Sequence, residues 1–256
     1  MRQQQLRYVG IYVVASLVVG GMSAYGLVKR HSFKDREALS GPISSVRIEN
    51  GPGGVVLRGT RAGTPLQLRR TVEYKGDRPS GVSHRLTDGV LVLGGCGDRC
   101  SVRYRVDVPE GVPVSGETSG GAVALSRVGA VKVSTHTGGI ALDGVLGAVD
   151  VRATNGRITG TRLYGREIAA ETSNGSIDLA PAAPSDIRAT SATGDITVTV
   201  PRAAYQVTAE SKNGERRIDV AHEPLGAWRL GLDSGGGDVT VRARMADTPW
   251  WWGSAR

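Results

Sequence analysis

The sequence is short of rings and of thiols. Phe occurs once, aromatic residues make up 5% of the 256 residues, and there are two Cys. A core so poor in Phe must be filled by Val, Ile, Leu and Ala, which suits thin, layered β structure better than a bulky α/β core. Gly is abundant, at 37 residues, but it has no three-residue period, which excludes a collagen-like chain. Histidine is sparse. His31, His84, His136 and His222 stand without a second His or a Cys at ligand spacing, so no metal site is expected. No Gly-x-Ser-x-Gly elbow for a serine hydrolase occurs. Glycosidase chemistry requires two carboxylates held about 5–10 Å apart, and the acids here are thinly spread and balanced by Arg. No catalytic residue and no cofactor is assigned.

The formal net charge is +8, and its position is more informative than its size. Residues 1–36 hold six basic groups and one acid, residues 37–115 eleven and eight, and residues 116–256 fifteen of each. The excess lies beside an apolar segment and not on the body of the protein. A nucleic-acid binder would carry its basic footprint on the folded domain, so no nucleic-acid partner is expected. Basic residues flanking a membrane segment suit anionic headgroups.

That segment runs from Tyr8 to Val28, 21 residues without a charge. As a helix it would span about 31 Å, enough for a hydrocarbon core. Arg2 and Arg7 precede it, Lys29, Arg30, Lys34 and Arg36 follow, and Tyr8, Tyr12 and Tyr25 sit towards its ends as an interfacial belt would place them. An uncleaved membrane anchor is expected; a cleaved signal peptide is the alternative, with Ala24-Tyr25-Gly26 the nearest approach to a cleavage site. Both flanks are basic, so charge does not set the orientation. Cys96 and Cys100 do so better: two Cys spaced four apart on a loop suit a small disulfide outside the cytoplasm. Redox pairs usually read Cys-x-x-Cys.

Turn glycines recur at Gly120, Gly138, Gly156, Gly175, Gly194, Gly214 and Gly237, with spacings that begin at 18 and drift to 23. Each turn is preceded by an alternating apolar–polar run, such as Val149 and Val151 or Ile187 and Ala189, and followed by another, such as Ile177 and Leu179 or Ile196 and Val198. A period of two is that of a strand with one buried face. Asn-Gly between such runs is ordinarily a hairpin signal, and a sandwich of hairpins is one architecture that fits. A β-solenoid is the other, and near-constant spacing favours it, because each rung must lie on its neighbour. Asp195 and Asp238 follow turn glycines. They read as turn-solvating residues rather than as a calcium β-roll, whose motif must recur in tandem.

The order of these features is the basis of a resemblance. An apolar segment, strands with a close Cys pair, Val106-Asp107-Val108-Pro109-Glu110-Gly111-Val112-Pro113-Val114, and repeated Thr-x-Ser/Thr-Gly-Gly/Asp-Ile-x-Leu/Val units together resemble the DUF4097 family of adhesin-like β-strand-repeat proteins, of actinobacterial type, over residues 43–244. The resemblance implies a β-solenoid-like fold and a cell-envelope location, and it supplies no catalytic residues. In Asn213-Gly214-Glu215-Arg216-Arg217 the sequence departs from the pattern, with two extra residues expected before Ile218.

The expected layout is a short N-terminal arm (1–7), a transmembrane helix (8–28), a juxtamembrane linker (29–42), an N-terminal β region that caps the stack (43–115), an all-β solenoid of rungs of about 18–20 residues (116–244) and a Trp-rich tail (245–256). Trp250, Trp251 and Trp252 are a plug for the last rung or a contact patch for membrane or sugar. The expected function is that of a non-catalytic envelope protein, anchored in the membrane, that binds protein or glycan partners. A self-assembling scaffold of bactofilin type is the alternative, and an envelope polysaccharide lyase or hydrolase ranks last. The sequence sets no oligomeric state.

Overall fold

Alternating Val, Ile and polar residues separated by Gly turns build strands throughout the chain. The computed structural model describes residues 30–80 and 83–244. The transmembrane helix and the Trp tail expected above lie outside these residues. Twenty-one strands follow in chain order. They are β1 (Arg30–Ala38), β2 (Ser45–Pro52), β3 (Val55–Thr60), β4 (Gln67–Lys75), β5 (His84–Thr87), β6 (Val90–Gly94) and β7 (Cys100–Pro109). Next come β8 (Val114–Gly120), β9 (Val123–Ser126), β10 (Val131–Thr137), β11 (Ile140–Asp143), β12 (Val149–Asn155), β13 (Ile158–Leu163) and β14 (Glu167–Asn174). The last are β15 (Ile177–Pro181), β16 (Asp186–Thr193), β17 (Ile196–Val200), β18 (Tyr205–Ser211), β19 (Arg216–Asp219), β20 (Trp228–Ser234) and β21 (Val239–Ala243). Among the described residues there is no helix.

The strands form two sheets. Sheet A has eleven strands in the order β1-β4-β7-β3-β9-β11-β13-β15-β17-β21-β19, and sheet B has ten in the order β18-β20-β16-β14-β12-β10-β8-β2-β6-β5. Each rung contributes one strand to each sheet, and equivalent strands of successive rungs pair in parallel, as in Val131↔Val149 and Ile140↔Ile158. The arrangement is β-solenoid-like, and the hairpin sandwich is set aside by this parallel pairing. Inward side chains stack as apolar columns. Ile140, Ile158, Ile177, Ile196 and Val239 form one in sheet A, each at most 1% exposed. Val131, Val149, Ile168, Ile187 and Leu230 form its counterpart in sheet B.

Both ends depart from simple succession. At the C-terminal end β20 and β21 lie between β16/β17 and β18/β19, so later strands sit inside earlier ones. The drift in glycine spacing to 23 marks this exchange and not an insertion within a rung. Nor does Ile218 follow two extra residues. Arg216 pairs with Val239 and Ile218 with Val241, so the register is kept and Arg216 replaces the first core residue at an exposed edge. Its guanidinium donates to Ala209 O at 3.2 Å. An inward-pointing charge on an edge strand discourages further pairing.

At the N-terminal end β2/β3 and β6/β7 are regular parallel rungs. Among the described residues only β1, β4 and β5 run antiparallel to their neighbours, so the cap is smaller than the 43–115 region expected. Residues 29–42 were expected to be a linker, yet 30–38 form β1, paired along its whole length with β4. Its inward contacts explain why so polar a segment is held. Arg70, itself buried, donates from Nε and Nη2 to Asp35 Oδ2 at 2.9 and 2.7 Å and from Nη1 to Ser83 Oγ at 3.0 Å. Phe33 lies under the Arg78 guanidinium at 4.1 Å.

Candidate functional site

The turn glycines form a continuous column. A Cβ on Gly138 would stand 2.5 Å from Gly121 O, on Gly156 2.1 Å from Gly138 O, on Gly175 2.3 Å from Gly156 O and on Gly194 2.4 Å from Gly175 O. The column continues to Gly237, packed on Gly194, and then to Gly214, packed on Gly237, in the exchanged order of the rungs. At its other end Gly121, at φ +100°, packs on Gly53. The column member is therefore Gly121 and not Gly120, which ends β8. A Gly-Gly pair leaves this one-residue choice open in the sequence. Rungs separated by one strand spacing leave no room for a side chain here, so glycine is required by contact, and at Gly53, Gly121, Gly138 and Gly194 by a positive φ as well.

Three residues before each column glycine stands a polar residue, buried except for the half-buried Ser211 at the C-terminal edge. Thr172 Oγ1 donates to Gly156 O at 3.0 Å, Ser191 Oγ to Gly175 O at 2.9 Å, Ser234 Oγ to Gly194 O at 3.0 Å and Ser211 Oγ to Gly237 O at 2.9 Å. Asn50 Nδ2 serves Gly53 O at 2.8 Å. These bonds satisfy carbonyls that the tight turn withdraws from the sheet ladder. Ala153 alone breaks the series, before Gly156. A second column, Gly111, Gly129, Gly147 and Gly165, lines the opposite turn at an 18-residue spacing. Sequence reading missed it, although the period was present. Asp195 and Asp238 accept backbone N–H groups of the next rung, from Asp238 and Glu215 at 2.9 and 2.8 Å.

Cys96 and Cys100 form a disulfide at the start of β7. Close to it Tyr104, fully buried, donates within a pocket formed by Ser83 O, Ser83 Oγ and Gly94 O. Burial pushes its phenol up to about 12. Of the histidines, His84 pairs with Glu37 at 3.1 Å, His222 Nδ1 accepts from Val207 N and His31 stacks on Tyr74.

A shallow trough of about 1080 Å³ crosses the outer face of sheet B. Side chains from different rungs meet there in lateral register. Asp150 lies between Lys132 (3.7 Å) and Arg152 (3.0 Å), and Arg152 also reaches Glu171 at 3.3 Å. Further along, Arg188 is flanked by Ala169 and Gly231. Neighbours that short leave the guanidinium exposed, and no carboxylate lies within 4.0 Å of it among the described residues. The residues of this face are some 18–20 apart in the chain, so no local motif announces it.

No curated protein matches the chain. Among solved structures it is similar to a candidate adhesin from Bacteroides fragilis NCTC 9343, at 11% identity and a TM-score of 0.45, over 85% of this chain and 99% of that one. It is also similar to a candidate adhesin from Parabacteroides merdae ATCC 43184, at 11% identity and 0.41, over 83% and 96%. A candidate cell adhesion protein from Clostridium sporogenes ATCC 15579 gives 10% and 0.34, over 84% and 100%. The sequence profile of one family, described as Toastrack DUF4097, matches residues 112–244, from the second turn column to the end of the described strands. This match covers more than half of the chain, and the protein belongs to the DUF4097 Toastrack family.

Proposed function

We propose that the protein is a non-catalytic, adhesin-like module of the cell envelope, anchored by residues 8–28 with its body outside the cytoplasm, and that it binds an envelope partner in the sheet B trough. The observation that carries this reading is Arg188. Its guanidinium stands exposed between the small residues Ala169 and Gly231, so its fork of donors has room for a partner carboxylate. The carboxylates of Asp150 and Glu171 are engaged by Lys132 and Arg152, which suits a mixed-charge contact surface better than an acid–base pair. Outward positions around the trough carry Ser115, Thr190 and Thr208 and, among the described residues, no aromatic ring. That favours a protein partner over a glycan, whose rings stack on aromatics.

A photo-crosslinking residue at Ala169, on whole envelopes, tests the reading, with Thr159 on sheet A as the control face. The expected outcome is a discrete protease-sensitive adduct from position 169 that disappears with Arg188→Glu. Identical adducts from both faces would overturn it, and an adduct sensitive only to glycan hydrolases would transfer the site to a glycan.

The scaffold reading has less support. One end of sheet A is closed by antiparallel β1, and the other is β19 with Arg216 at its first inward position. These edges do not match for end-to-end stacking.

A further inference from the structure

Basic charge on the outer face of sheet A is densest at the N-terminal end. Along the central strands that face carries Ala124, Ala141, Thr159, Asp178 and Thr197 in lateral register. Over β1, β4, β7 and β3 it carries Lys34, Arg36, Arg58, Arg69, Arg103 and Arg105, all exposed, against the carboxylates of Glu73 and Asp107. Pairing places Arg36 opposite Arg69 and Arg69 opposite Arg105, three guanidinium groups in one row across adjacent strands. Like charges directly opposite one another are destabilising. Arg103 reaches Glu73 at 3.8 Å and Arg69 donates to Gln67. Among the described residues no carboxylate lies within 4.0 Å of Lys34, Arg36, Arg58 or Arg105. No ion pair within the described residues compensates that row, and an anionic surface would offset its repulsion.

The position of the patch in the chain selects the surface. β1 begins at Arg30, two residues beyond Val28, where the apolar segment ends. In the anchored reading, about 7 Å of chain joins the start of β1 to the bilayer, so β1 and the strands beside it are tethered at the headgroups and can lie along them. Arg30 and Lys75, opposite one another at that end of β1, extend the basic surface towards the join. We infer that the N-terminal end of sheet A docks on the phosphate groups of anionic lipids. The body then lies against the membrane, and the sheet B trough, on the other side of the core, faces away from it.

This inference rests on the anchored reading, and one preparation tests both. The full chain is reconstituted in nanodiscs of phosphatidylcholine with and without phosphatidylglycerol. Exposed arginines are modified with phenylglyoxal and mapped by mass. Arg36, Arg69 and Arg105 are expected to react about threefold or more slowly in the anionic discs, and high salt should abolish the difference. Arg152 and Arg188, on sheet B, should react alike in both. Equal rates at Arg69 and Arg105 in the two disc types would overturn the docking while leaving the anchor intact. Equal protection of Arg188 would also overturn it, since it would show no preferred face. A chain that carbonate strips from membranes would refute the anchor and the docking together.

Discussion

The middle of this molecule and its ends solve the same problem differently. From β8 to β17 each rung repeats its predecessor: the turn glycine and the Ile or Val two after it recur in every rung, the polar residue three before the glycine in every rung but that of Ala153, and a second glycine column lines the opposite turn as far as Gly165. At the ends that repetition fails, because a rung with no neighbour has an open face and an unpaired ladder. The N-terminal end answers with antiparallel strands and the Arg70–Asp35 pair. The C-terminal end answers with Arg216 and an exchanged rung order. The buried aromatics follow the same division. Tyr104 and Tyr205, the largest fully buried side chains, both lie towards the ends, while the central columns are aliphatic. Regularity therefore goes with small, interchangeable residues, and termination goes with individual side chains.

The sharpest way to break this contrast is in the glycine column. Gly156→Ala places a methyl 2.1 Å from Gly138 O, and two rungs must part. The expected cost is about 4 kcal/mol, read from the urea midpoint. Gly51→Ala, near the N-terminal turn and with open space around the new methyl, should change stability by less than about 0.5 kcal/mol. Next in size is the core column. Ile177→Ala, at 1% exposure, should cost about 3 kcal/mol, and Ile218→Ala, at 39% exposure on the edge strand, about 1 kcal/mol or less. A third experiment acts on an end alone. Reducing the Cys96–Cys100 bond should cost about 2 kcal/mol in the chain-entropy model. It should speed hydrogen exchange in β6 and β7 while leaving β12 to β15 unchanged. The smallest effect completes the central repeat. Ala153→Thr supplies the missing hydroxyl beneath Gly138 O and should raise stability by about 1 kcal/mol, while Thr172→Val, which removes an existing bond, should lower it by about 1–2 kcal/mol. If both variants were neutral, the hydroxyl series would be bystanders and not fasteners.

The central repeat was the legible part. Val149/Val151 and Ile177/Leu179 announce strands by period, and near-constant spacing announces stacking. What escaped was whatever depends on partners distant in the chain. Ile187 pairs with Leu230 and not with Val207, though both are aliphatic and either fits the column. β1 has no apolar alternation, and its place in a sheet is explained by contacts with residues distant in the chain, Arg70, Tyr74, Arg78 and His84. The trough around Arg188 and the arginine row on sheet A are lateral features. Each gathers residues from several rungs, and a reading along the chain passes them one at a time.

The two ends also differ in the order in which they can be assembled. β2/β3 precedes β6/β7 in the chain and lies inside it. As synthesis proceeds it presents two free edges, which β6/β7 and then β8/β9 occupy without disturbing one another. At the C-terminal end the later pair β20/β21 lies beneath the earlier pair β18/β19. Growth rung by rung cannot produce that order, because β18 would meet the free edge of β16 first. β18/β19 can therefore take its final place only after β20/β21 has been made and has occupied the edge of β16/β17. The stack can be extended in chain order up to β17, and its last two rungs are placed in the reverse of theirs.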